Sequence, residues 1–388
     1  MRPGFARIHL ERLSANYLAL RTLLAREAKE LELFPVVKAD AYGHGAVACA
    51  KALVTLGAKT LCVACLEEAL ELKEAKVNAD FILLSGIFEG EEKETVNNGF
   101  MPVLSDLETA KLLNQVALRE GKIARVHLKI DTGMGRLGVV PEEFAKFYSE
   151  IKSLSRLKIE GIMSHLSSAN SKKPEDIEYT QKQIETFQMI HSALKQSKED
   201  SAGIRYFHLA QSACLLRYPL SHFNSARPGL ILYGANPFSP EQKGLEGFQP
   251  VMSLISKIAL IRTLPSGSAI SYGRLTTLKR KSRIGVAPIG YADGLPRGTK
   301  PGFGFLVRGK KAQLLGAVTM DLIMIDLTEI PEARLNDEVL IFGKEEQGIV
   351  RVEALAESAN TIPYELFTRI GARVKREYIS SSERLSEN

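Results

Sequence analysis

The sequence predicts an α/β chain: an N-terminal (β/α)8 TIM-type barrel followed by a mostly β C-terminal domain. Three observations predict it. Over the first 235 residues, short apolar runs rich in β-branched residues alternate with longer stretches of helical spacing. The runs number eight, the count that closes a barrel. Beyond residue 240 the texture changes to runs that alternate or pair as hairpins. An open doubly wound sheet is the competing architecture, and it is weakened because no G-x-G-x-x-G follows the first run.

Taken in order, residues 6–10 read as a strand. The eight barrel runs are 34–38, 60–65, 81–85, 101–104, 125–130, 159–164, 205–209 and 224–227. Helical spacing falls at 46–56, 67–73, 106–120, 141–154 and 174–195. Ser105 is a candidate cap for the third of these, and Pro141 suits a first helical turn. The Pro- and Gly-bearing stretch from Asn236 to Pro250 reads as a linker. Strand-like runs follow at 254–264, 283–287, 305–315, 322–327 and 338–342, with a hairpin turn at Arg308-Gly-Lys-Lys311. A helix is expected at 352–360, stopped before Pro363. The expected domains are 1–240 for the barrel and 241–388 for the β domain, residues 1–10 being a candidate to pair with the latter.

A chain of 388 residues is long enough for two well-formed cores. The net charge of +6 comes from dispersed bases, and the densest cluster, Lys279-Arg-Lys-Ser-Arg283, is short. No basic stripe with interleaved aromatics is present, so nucleic acid is not an expected partner. No apolar run approaches a membrane span, and the N-terminus lacks a basic-then-apolar signal pattern, so a cytoplasmic protein without a membrane partner is expected. Cys62-Val-Ala-Cys65 has metal or redox spacing, but it lies in a strand-like run with no second pair. Cys49, Cys62, Cys65 and Cys214 are read as free thiols, and no metal is expected.

The chemistry concentrates at the ends of the runs. Lys38 closes the first one. A lysine ending a buried strand must be solvated, paired or deprotonated. It either turns out to solvent or is a desolvated amine held for covalent chemistry with a carbonyl. The fifth run places His127, Lys129 and Asp131 on one face by period two, and the glycine-rich loop Thr132–Gly138 carries Arg136. The sixth run ends at Ser164-His165, the seventh at His208 with Ser212 beyond, the eighth at Arg227-Pro228-Gly229. Singly, His208 could be a satisfied core histidine and Arg227 an ion-pair partner. Together they occupy the strand ends, where barrels build their sites. Ser212 and Pro228-Gly229 follow the seventh and eighth strands, where barrels commonly hold phosphate. An imine-forming lysine beside a phosphate cradle suggests pyridoxal 5'-phosphate. In the β domain, Ser271-Tyr272-Gly273 and Gly290-Tyr291 are either aromatic turn residues or, for a functional tyrosine, a proton carrier.

These stretches together resemble the alanine racemases, the pyridoxal-phosphate-dependent fold-type III barrel family. The resemblance runs through Val37-Lys38-Ala-Asp-Ala-Tyr42-Gly-His-Gly45, His127-Leu-Lys129-Ile-Asp-Thr-Gly-Met-Gly-Arg136, Ser164-His165, Ser212, Arg227-Pro-Gly229-Leu230, Ser271-Tyr272-Gly273, Gly290-Tyr291, Thr319-Met320-Asp321 and Ile362-Pro-Tyr364-Glu. It implies an isomerase interconverting L- and D-alanine by two bases through a pyridoxal phosphate aldimine, with D-alanine supplied to peptidoglycan. Lys38 would form the imine and act as one base. Tyr272 would be the second, reaching the site from the other subunit of a head-to-tail homodimer with shared active sites. Arg227 would face the pyridine nitrogen. Tyr42, Ser212, Gly229, Leu230 and Tyr364 would hold the phosphate, and His165 would also belong to the cofactor site. Arg136 and the partner subunit's Met320 would bind the substrate carboxylate. Lys129, which carries a carbamate in some members, would support Arg136. His208 and Asp321 would be supporting residues, and Tyr291 would narrow the entrance.

Other readings make different demands. A broad-specificity or serine racemase would use the same residues. A D-amino-acid aldolase or a basic amino-acid decarboxylase would share the architecture, but decarboxylase chemistry does not need Tyr272 as a second base. A cofactor-homeostasis protein would resemble the barrel alone. A metal-dependent hydrolase built on His127, His165 and His208 lacks a local ligand pattern.

Overall fold

The computed structural model describes residues 4–25, 31–197, 203–238 and 247–380. They form two compact units. One comprises the described residues of Tyr17–Ala41 and Cys49–Leu232, the other those of Met1–Asn16, Tyr42–Ala48 and Tyr233–Asn388. The expected boundary between residues 240 and 241 lies outside the described residues.

The chain opens on β1 (Phe5–His9), and eight strands follow: β2 (Glu32–Leu33), β3 (Thr60–Val63), β4 (Asp80–Leu83), β5 (Met101–Leu104), β6 (Ala124–Lys129), β7 (Leu157–Met163), β8 (Tyr206–Gln211) and β9 (Ser225–Arg227). These eight form one parallel sheet in the order β2-β9-β8-β7-β6-β5-β4-β3. Its two ends meet through a parallel bridge between Val36 and Cys62, where Val37 N donates to Cys62 O at 2.9 Å. The result is a nearly closed barrel. Every residue of β3 and β5 is buried, as parallel strands covered on both faces require.

The first run departs from expectation. A strand over 34–38 is not formed, and regular pairing stops at Leu33. Phe34 N and Val36 N still bond to Ala226 O and Pro228 O, but Pro35 has no N–H for the opposite ladder. Helices follow the expected positions closely, as in Ala46–Thr55, Leu66–Glu74 and Pro174–Gln196. Leu107–Arg119 is capped by Asp106, whose carboxylate accepts from Thr109 N at 2.8 Å, and not by Ser105. Pro141 opens a short 3-10 turn that leads into the helix Phe144–Lys152.

In the second unit, β1 pairs antiparallel with β10 (Met252–Lys257) and parallel with Lys375–Ile379, inside a ten-stranded sheet. The hairpin Gly304–Val307 and Lys310–Leu315 turns at Arg308-Gly309, both at positive φ, as a two-residue loop of matching twist demands. Pro363 does more than stop the preceding helix Val352–Ser358, since it also opens the helix Pro363–Thr368. Among the described residues no helix is long and apolar enough to cross a membrane.

Candidate active site

Lys38 is the first residue of a short helix, Lys38–Gly43, that is left-handed. Ala39, Asp40, Ala41 and Tyr42 have φ between 52° and 54°. Each L-residue in that conformation costs about 1–2 kcal/mol, so the turn must be held from outside. Glu68 holds it, with one carboxylate oxygen accepting from Ala39 N and the other from Ala64 N, each at 2.7 Å. The Lys38 amine is pulled below the usual lysine value, first by burial and then by the positive charge of Arg136, with Glu68 opposing. At the far end of the turn Tyr42 is buried. Its ring lies 5.0 Å from that of Tyr233 and 5.8 Å from that of Tyr364, within the β-rich unit.

Arg227, at the end of β9, is buried and gripped on both terminal nitrogens. Nη1 donates to His208 Nδ1 at 2.7 Å and to His208 O, while Nη2 donates to Ser164 O at 2.6 Å and Leu209 O at 3.3 Å. Burial draws its pKa down to about 10, so the guanidinium stays charged at neutral pH. The donor count then assigns the tautomers of the two buried histidines behind it. His208 accepts at Nδ1, so its proton is on Nε2, which donates to His127 Nδ1 at 2.8 Å. His127 must carry its proton on Nε2, and that atom is buried without a partner. Burial drives both rings toward the neutral form, His127 to about 3 and His208 well below its ordinary value. The arrangement needs Gly161 on β7, where an added Cβ would lie 2.4 Å from His127 Nδ1.

Lys129, also buried, ends β6. Burial, then Arg136 and Arg227, bring its pKa down to about 8. Asp131, just beyond, accepts from Gly133 N at 2.9 Å and Met134 N at 2.7 Å. Burial acts to raise this carboxyl, but backbone N–H groups from Gly133 to Arg136 outweigh it and hold it low. Thr132 Oγ1 meets Ser164 Oγ at 2.9 Å, so Ser164 is tied both to the Arg136 loop and, through its carbonyl, to Arg227. His165 follows it, half-buried, its pKa well below the usual value through burial and then the charge of Arg227 and Arg136. Ser212 is buried at the start of the helix Ser212–Arg217, and its Oγ accepts from Gly229 N at 3.0 Å and Ile231 N at 3.3 Å. Leu230, between them in sequence, is buried.

One unit therefore gathers Lys38, Lys129, Arg136, His165, His208, Ser212, Arg227, Gly229 and Leu230, while Tyr42 and Tyr364 meet in the other. That second unit also carries Tyr272, Tyr291, Met320 and Asp321 on loops bonded to one another. Ser271, at φ 64°, donates from Oγ to Ala317 O at 2.9 Å. Tyr291 N donates to Thr319 O at 3.0 Å and Ala292 N to Met320 O at 3.1 Å. Arg373 ties Asp321 to Asp293 at 2.8 and 3.0 Å. The tip is exposed, with Tyr272 at 74%, Met320 at 52% and Tyr291 at 41%. Ser164 and Thr132 lay in the motifs read from the sequence without a role of their own, and Glu68 and Gly161 were not singled out there. Only a glycine interrupting an apolar strand hinted at the last.

Known proteins extend this picture. Residues 8–237 match the family described as alanine racemase, N-terminal domain, and residues 251–378 match alanine racemase, C-terminal domain. The chain is 40% identical over 379 residues to the alanine racemase of Thermodesulfovibrio yellowstonii, covering 97% of this chain and 98% of that one. It is 38% identical over 379 residues to that of Halothermothrix orenii, covering 97% of each. Among solved structures, the alanine racemase from D-cycloserine-producing Streptomyces lavendulae superposes with a TM-score of 0.90 at 32% identity, covering all of both chains. The biosynthetic alanine racemase from Pseudomonas aeruginosa gives 0.86 at 32% identity, covering 98% of this chain and all of that one. The chain belongs to the alanine racemase family.

Proposed function

We propose that this protein interconverts L- and D-alanine with pyridoxal 5'-phosphate, using Lys38 and Tyr272 as the two proton-transfer groups. It works as a cytoplasmic head-to-tail homodimer with shared sites and supplies D-alanine for peptidoglycan. The observation that carries this reading is Arg227. Its four hydrogen bonds all leave from Nη1 and Nη2, so Nε–H is left for an acceptor from outside the protein. An arginine there bonds a ring nitrogen without giving up its proton. That limits electron withdrawal and favours return of a proton to Cα over transamination.

The remaining residues fit the same group. Lys38 has an amine biased toward the neutral, nucleophilic form. Ser212 Oγ already accepts two N–H groups, so its own proton is available to a phosphate oxygen. After burial, the charges of Arg136 and Arg227 disfavour the protonated forms of Lys38 and Lys129, a strain that an anion would relieve. Tyr42, Gly229, Leu230 and Tyr364 are assigned to the phosphate with Ser212, and His165 to the ring. Pyridoxal phosphate, when bound, supplies a sink for the electron pair left at Cα when its proton is removed.

The chain's own groups do the rest. Lys38 Nζ moves a proton on one face of Cα, and the partner subunit's Tyr272 moves one on the opposite face. Two groups are needed because one base cannot serve both faces of a planar carbon. Arg136, supported by Lys129, binds the substrate carboxylate with the partner subunit's Met320. His208 fixes Arg227, Asp321 supports the Met320 loop, and Tyr291 narrows the entrance. Rejecting a side chain one methyl larger is worth about 1–3 kcal/mol.

A racemisation panel with alanine, serine, lysine and arginine tests this reading, with solvent deuterium entering Cα as a second readout. Alanine should turn over fastest, and Tyr272→Phe should slow it by about 10²–10⁴-fold. No turnover of alanine by the cofactor-loaded wild type would end the proposal.

A further inference from the structure

The helix Pro174–Gln196 places Tyr179 and Gln183 one turn apart on the same face. Tyr179 donates from its hydroxyl to the carbonyl of Gly133 at 2.6 Å. Gln183 is buried, and its carbonyl oxygen accepts from Ser167 N and Ser167 Oγ, both at 3.1 Å. One helix face thus grips two neighbouring loops, the loop after β6 that carries Arg136 and the loop after β7 that carries His165.

The grip on the first loop is a built contact. Gly133 has φ +128°, and an added Cβ there would lie 2.4 Å from the Tyr179 hydroxyl, so the tyrosine tip occupies the space a side chain would take. The root of the loop is fixed by the Asp131 carboxylate and by Thr132 on Ser164. Only two residues, Met134 and Gly135, separate the gripped Gly133 from Arg136, and neither has a side chain that forms a classical hydrogen bond. Arg136 is exposed and Tyr179 is 44% exposed, so the polar tip, not burial of the ring, does the holding.

We propose that Tyr179 is a positioning residue that sets the Arg136 loop for the substrate carboxylate, with Gln183 anchoring the adjoining loop. This rests on the reading of Arg136 as the carboxylate-binding residue. Removal of the hydroxyl leaves the helix and the chemistry at Lys38 intact, but lets Arg136 sample more positions. The loss therefore falls on binding of the carboxylate and not on the proton-transfer step.

The test is Tyr179→Phe in the cofactor-loaded enzyme, beside Arg136→Gln. Propionate serves as a probe, because it has the carboxylate of alanine and no amine to react. For Tyr179→Phe, KM for L-alanine and the inhibition constant of propionate should both rise ~3–10-fold, the range of one lost hydrogen bond. The maximal rate and the visible absorbance of the Lys38-bound cofactor should hold. Amide hydrogen exchange in residues 131–138 should quicken. Unchanged KM, propionate inhibition and exchange would overturn the proposal. So would a fall in maximal rate and cofactor absorbance together, which would mark a general structural role. If Arg136→Gln weakens propionate and Tyr179→Phe does not, the role of Tyr179 alone fails. If Arg136→Gln has no effect on propionate, the carboxylate reading fails and takes the proposal with it.

Discussion

At the scale of the residue, the barrel site is a contest over protons among cations. Lys129 shows it most plainly, because burial and the charges of Arg136 and Arg227 bring it from 10.5 to about 8. The folded state therefore holds fewer protons at this amine than the unfolded chain between those two values, and stability rises with pH across that window. Below pH 8 the cost of the buried charge is fully present. Lys129→Met should then raise the apoenzyme's resistance to denaturant most below pH 8, with the gain fading toward pH 10.5. Urea titrations across that range in bicarbonate-free buffer check it, and a pH-independent gain would mean that packing, not charge, set the difference. Lys38 and Arg227 were legible in the sequence because charged side chains at the ends of buried runs are physically anomalous. Glu68 was not, since a carboxylate in the first turn of a helix is ordinary, and only the fold brings it to Ala39 N.

At the scale of the element, pattern and structure agree where one period governs a whole segment and part where a single residue intervenes. The long helices and the all-buried strands follow their periodicities. Pro35 interrupts the first ladder, and the left-handed turn after Val37 has no periodic signature at all. That turn is anchored by the hydrogen bond Glu68 accepts from Ala39 N, a tertiary contact. Gly161 is a comparable case within β7. Gly161→Ala would drive a methyl into His127 Nδ1 and, behind it, the carbonyl of Tyr206 at 3.1 Å. Thermal and chemical unfolding should show a loss of about 1–3 kcal/mol, the usual cost of overpacking. An unchanged unfolding midpoint would mean that His127 can move freely, and the tautomer chain behind Arg227 would then lose its support.

At the scale of the whole molecule, the order of the chain and the membership of its two units differ. β1 begins the sequence yet lies between β10 and Lys375–Ile379 in the β-rich sheet. Tyr42 groups with that unit while Lys38, four residues earlier, groups with the barrel. The sequence could suggest the first through a strand-like start, but not the second, which depends on the left-handed turn. The exposed Tyr272, Leu275 and Met320 at one tip of the β-rich unit leave apolar surface for a second copy to cover. If sites are shared, Lys38 of one subunit works with the partner subunit's Tyr272. The direct measurement mixes two inactive proteins, Lys38→Ala and Tyr272→Phe, after dissociation and reassociation. A mixed dimer would then hold one site with both residues intact, and random pairing should restore about a quarter of wild-type racemisation. No recovery, with mixed dimers demonstrably formed, would contradict a site shared between subunits.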